Sequence, residues 1–175
     1  EEECVQVVRW LGEEGVDLLE LSGGSYEQPS MMGVKSKAQA AAPVAESTRR
    51  REAYFLEYAR TIRAVATMPV MVTGGFRSRA AMDEALAAGE LDMIGLGRPM
   101  CVDTDLPRRL FSGEWASAQS YETGIVPPKA GLAWFCLQLL RIGDGIEPDR
   151  ALDGARAMEL YASSETSAAR ALQGR

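Results

Sequence analysis

The chain has 175 residues, 19 basic against 25 acidic side chains, a net charge of -6 and no histidine, with a pI near 4.8. An acidic balance excludes a general nucleic-acid binder, which needs a basic face to displace counterions. The missing histidine excludes every Ser-His, Cys-His or His-metal constellation within these residues.

Residues 1 to 14 set Cys4, Val5, Val8 and Leu11 at helical spacing, with Gly15 where a left-handed cap falls. The chain begins Glu1-Glu2-Glu3, without methionine and already in helical pattern, so an upstream part is expected. Val16 to Leu21 predicts a strand with Asp17, Leu19 and Leu21 on one side and Leu18 and Glu20 on the other, closed by Ser22-Gly23-Gly24. Glu20 then faces a barrel interior, where a charge needs a partner. Ser25 to Arg49 carries no period, and its length suits a lid over a functional face.

A helix is predicted over about 51 to 67, from the stripe Tyr54, Tyr58, Ile62 and Val65. Pro69 opens a second strand, Val70 to Val72, that runs into Thr73-Gly74-Gly75-Phe76. Ser78 is placed to cap the next helix, Met82, Ala85 and Leu86 form its buried stripe, and Gly89 ends it. Leu91 to Leu96 is the third strand, followed by Gly97-Arg98.

Beyond it the pattern predicts a short helix over Asp103 to Leu110 and an apolar helix over Ala130 to Arg141 with Trp134 and Phe135. A further helix is expected over 150 to 162, then a frayed tail from Ser163. Cys4, Cys101 and Cys136 lack Cys-x-x-Cys spacing. They predict buried thiols of a reducing compartment rather than a zinc or iron–sulfur site. No apolar run approaches the roughly 20 residues of a membrane helix, and the expected home is the cytosol.

Strand, glycine, helix, strand, glycine is the cadence of a βαβ unit with parallel strands. In such folds ligands sit beyond the carboxyl ends of the strands. Gly74, Gly75 and Gly97 with Arg98 therefore form a candidate phosphate cradle; tight turns and a surface ion pair are the structural alternative.

Four segments, Leu18-Leu19-Glu20-Leu21-Ser22-Gly23-Gly24, Arg51-Glu52-Ala53-Tyr54-Phe55, Pro69 to Phe76 and Asp92 to Pro99, resemble in order and spacing the old yellow enzyme family. These are the NADH:flavin oxidoreductases and NADH oxidases. The resemblance implies an α/β fold, the last three βα units of a TIM (β/α)8 barrel over residues 1–112, with a helical C-terminal extension over 113–175. It implies FMN, its phosphate held by the Gly74 and Gly75 amides, Gly97 and Arg98, with NADH or NADPH as reductant. The acceptor is an activated alkene, a quinone or dioxygen. The family's catalytic residues come from earlier strands, and a complete barrel has about 250 residues, so the chain is expected to be a fragment. The alternatives left open are an isomerase or lyase acting on a phosphorylated metabolite, and a non-catalytic truncated product.

Overall fold

The computed structural model describes residues 2–22, 56 and 58–173. Helix α1 spans Glu2–Glu13 with Glu2 and Glu3 in its first turn, where acidic side chains complement the helix dipole. Gly15 ends it at φ 76°, the left-handed conformation that costs glycine nothing. Of the expected stripe only Val8 is buried, and Cys4 is exposed.

Strands β1 (Leu19–Ser22), β2 (Val70–Thr73) and β3 (Met93–Gly95) form one parallel sheet in the order β1-β2-β3. The register sets Leu19 against Val70 and Leu21 against Val72, with Val72 against Ile94. Because side chains alternate across a strand, this row faces the helices. The opposite face carries Glu20, Met71 and Met93, then Ser22, Thr73 and Gly95.

Helix α2 is described over 58–63, and α3 spans Arg79–Ala87 with Ser78 at its N-cap. With the loops beyond, they cover the first face: Val70, Val72, Ala59, Phe76, Met82, Ala85, Leu91 and Leu106 make one buried cluster. Burying an aliphatic or aromatic side chain of this size stabilises by about 1.5–3 kcal/mol.

The amino ends of the strands are tied by polar contacts. The Asp92 carboxylate accepts the Val70 N–H at 2.8 Å and pairs with Arg63 at 3.3 Å. Arg60 Nε donates to Glu90 at 2.8 Å.

Helix α4 (Leu106–Ser112) adds Leu106 and Leu110 to the first buried cluster, and a second cluster forms at α5 (Gly131–Gly143) and α6 (Gly154–Gln173). Helices α5 and α6 pack together, burying Trp134, Phe135, Ala130 and Ala157 with Val102 and Ile125. Trp134 stacks on Tyr121 with ring centroids 6.2 Å apart, meets Phe135 edge-on at 5.1 Å, and donates its indole N–H to the Leu152 carbonyl at 2.8 Å. Gln138 is fully buried and pairs its amide with the Asp149 backbone, donating at 3.1 Å and accepting at 2.7 Å. A buried amide satisfied in this way fixes the α5–α6 turn instead of destabilising it.

Several expectations are corrected. Residues 154–173 form one helix, with no frayed tail from Ser163. Leu86 points outward at 41% exposure. Glu20 is exposed. Cys101 and Cys136 are half-buried rather than core thiols. The short helix begins at Leu106, after Asp103 has turned inward. The expected lid over 25–49, Gly23 and Gly24, and the helix start at 51–55 lie outside the described residues.

Candidate functional site

The three strands end on one side, and their last residues Ser22, Thr73 and Gly95 stand in register. Beyond β2, Gly74 and Gly75 adopt φ 108° and 79°, so two successive residues lie in a region that side chains rarely occupy. The turn ends in Phe76, fully buried in the main core. The Gly74 N–H reaches the Gly95 carbonyl at 3.5 Å, linking the two loops.

Gly95 is required where it stands. A Cβ there would lie 1.9 Å from Thr73 Oγ1 and 3.1 Å from Thr73 Cα. Thr73 Oγ1 itself is buried with no hydrogen-bond partner among the described residues. Two residues on, a Cβ at Gly97 would meet nothing within 4 Å. Gly95 thus answers to the neighbouring strand, whereas Gly97 borders open space.

Arg98 opens a single 3-10 turn, Arg98–Cys101, with the Met100 N–H on the Gly97 carbonyl at 2.9 Å. Its guanidinium is about a third exposed and lies 3.6 Å from Glu122. The same Glu122 oxygen accepts a hydrogen bond from Arg77 Nη2 at 3.0 Å, while Arg77 Nη1 donates to the Phe76 carbonyl at 2.8 Å. Arg77 is 8% exposed and Glu122 12%. The second Glu122 oxygen is buried without a hydrogen-bond partner among the described residues. Burial pushes the Glu122 carboxyl upward, but the Arg77 and Arg98 charges outweigh it and hold the group below the usual carboxylate range.

The sequence reading brought Gly74, Gly75, Gly97 and Arg98 to one corner, and the structure assembles them there. It missed Arg77 and Glu122. Glu122 arrives by a strap: Ser117 bridges Ser78 antiparallel, the Ala118 N–H donates to the Arg77 carbonyl at 2.8 Å, and the Arg79 N–H to Ala116 at 2.9 Å. The adjoining Tyr121 donates to the buried Asp103 carboxylate at 2.8 Å, and Arg150 pairs with it at 2.8 Å. The one local signal was Tyr121-Glu122-Thr123-Gly124, a polar turn between two apolar helices.

Tyr121 reports on this junction. Burial first, then the hydrogen bond and charge of Asp103, push its phenol up to about 12, against a smaller downward pull from Arg150. The folded state therefore holds the proton where an unfolded tyrosine, near about 10, has lost it. The stability so contributed is complete below the unfolded value and drains away as pH rises through about 12. In an alkaline titration followed by phenolate absorbance, Tyr121→Phe should delete a late-titrating step; loss of an ordinary step instead would refute this.

Among the described residues the arrangement sets two guanidiniums, one of them buried, and one carboxylate beside two glycine loops, with open space at Gly97. No group of three or more potential metal ligands occurs among the described residues. A phosphate monoester would suit this donor set: Arg98 would supply charge-assisted hydrogen bonds, and the bare Gly97 leaves room for an approach.

Residues 2–115 match the family described as NADH:flavin oxidoreductase / NADH oxidase. The NADH-dependent flavin oxidoreductase iliE of Neonectria sp. is 38% identical over 107 residues, 61% of this chain and 14% of that protein. Its namesake iccE of Talaromyces variabilis is 44% identical over 96 residues, 54% of this chain and 22% of that protein. The nadA flavin oxidoreductase of Aspergillus parasiticus is 30% identical over 152 residues, 84% of this chain and 31% of that protein. The matched segment thus spans less than a third of each relative's length. An α/β chain with a three-stranded parallel sheet, matched by one family pattern over most of its length, belongs to the NADH:flavin oxidoreductase / NADH oxidase family.

Proposed function

We propose that residues 1–112 are the phosphate-holding end of an FMN-dependent oxidoreductase barrel, its last three βα units, and that 113–175 are a helical extension buttressing it. The observation that carries the reading is the meeting of Gly74, Gly75, Gly97 and the Arg98 guanidinium at the carboxyl ends of adjacent parallel strands. Parallel barrels bind phosphate at this place. NADH or NADPH is the reductant; NADH is the one that the relatives' names carry. Electrons pass to an activated alkene, a quinone or dioxygen.

FMN, when bound, supplies the hydride chemistry. The residues of this chain bind and orient its phosphate. Arg98 donates to the phosphate oxygens, the turn presents the Gly75 N–H beside a Gly74 N–H held by the Gly95 carbonyl, and Gly97 lets the ligand approach the backbone. The groups that orient substrate and move protons belong to strands outside this chain. The open sheet face bearing Glu20, Met71 and Met93, the last 48% exposed, is the side those strands would close. No described helix is long and apolar enough to cross a membrane, and the cytosol is the compartment we propose.

Arg98→Ala in the full-length protein is expected to weaken FMN binding about tenfold to a hundredfold, the worth of one or two hydrogen bonds to a charged group, and to leave riboflavin binding unchanged. Equilibrium titration of the apoprotein measures both. Undiminished FMN affinity would remove Arg98 from the site.

A further inference from the structure

We propose that Glu122 is an internal anion that shares the Arg98 guanidinium with the ligand phosphate and so tempers the affinity of this corner. The inference rests on the phosphate reading above. It starts from an asymmetry between two ion pairs made by one carboxylate oxygen. Arg77 is buried and hydrogen-bonded to that oxygen at 3.0 Å, whereas Arg98 is a third exposed and sits at 3.6 Å. The Arg77 pair is the fixed one, since pulling apart two buried, hydrogen-bonded charges is strongly unfavourable. Arg98 is the exchangeable partner, held loosely and facing solvent beside the bare Gly97.

The second Glu122 oxygen reinforces the point, being buried without a hydrogen-bond partner among the described residues. A carboxylate kept half-satisfied is unfavourable, and its one bonded oxygen is shared between two guanidiniums. What the negative charge does here is electrostatic. It offsets one of two guanidiniums and lowers the positive potential that a phosphate meets. When phosphate arrives, Arg98 turns its donors from Glu122 to the ligand, and Arg77 stays paired.

The sign of a substitution separates this role from a structural one. Glu122→Gln keeps the shape and an acceptor for Arg77 but removes the charge. In the full-length apoprotein, titrated with FMN and with riboflavin at low and raised ionic strength, it should bind FMN about tenfold more tightly. The salt dependence should steepen, and riboflavin should bind unchanged. Glu122→Asp keeps the buried charge but draws the carboxylate back from both guanidiniums, which loosens the longer Arg98 contact first, so it should also tighten FMN binding, by less. Weaker or unaltered FMN binding in both variants, with wild type still preferring FMN to riboflavin, would overturn the inference and leave the phosphate reading standing. A wild type that binds riboflavin as tightly as FMN would overturn both.

Discussion

Gly95→Ala is expected to destabilise the protein by about 3 kcal/mol, the upper end of what an overpacked methyl group costs. The added Cβ would sit 1.9 Å from Thr73 Oγ1, 2.8 Å from Thr73 Cβ and 3.1 Å from Thr73 Cα. A rotamer change relieves the first contact but not the other two, so β3 must move away from β2. That movement drags Gly97 and Arg98 away from Gly74 and Gly75, and flavin retention should fall together with stability. Thr73→Gly removes the two nearest atoms and should recover most of the loss when combined with Gly95→Ala. A double-mutant cycle by urea denaturation measures the coupling; strict additivity would show that the strand contact is not the cause.

Trp134→Ala is expected to cost about 3–5 kcal/mol, the range for deleting a large buried aromatic side chain. Trp134 is 3% exposed and joins three things: the Tyr121 ring, the Phe135 edge and the Leu152 carbonyl. Its loss leaves a cavity between α5 and α6 and a buried carbonyl without its donor. Trp134→Phe keeps most of the packing and loses the hydrogen bond, so it should cost about 1–2 kcal/mol. Thermal or urea unfolding with both variants orders these effects. Equal losses would assign the stability to the hydrogen bond rather than to the ring.

The parts of this structure that were legible in the sequence are those written in short-range pattern. Val70 to Val72 alternates into a buried core, and the glycines that end strands stand out because backbone sterics leave few substitutes. Hence Gly74, Gly75, Gly97 and Arg98 could be gathered at one corner before any coordinates.

Glu122 could not be, because it lies 45 residues from Arg77 and is brought to it by the strap that pairs 116–118 with 77–79. No periodicity encodes that pairing. The long final helix was missed for a different reason. Ser163, Ser164, Thr166 and Ser167 read as a weak helix former's run, yet Thr166 and Ser167 hydroxyls bond back to the carbonyls of Ala162 and Ser163 at 2.8 and 2.9 Å, so the polar side chains fit within the helix. The cysteines were misjudged because composition speaks of average burial, and all three lie on partly open helix or turn surfaces.

The strap that lays Ala116 to Ala118 along Arg77 to Arg79 also couples the two buried clusters. Its first part is bonded to the start of α3 in the main core, and Tyr121 at its far end stacks on Trp134 in the second. Glu122 sits next to that tyrosine in the chain, so a loss of packing in the helical extension reaches the Arg77 ion pair through a single aromatic contact.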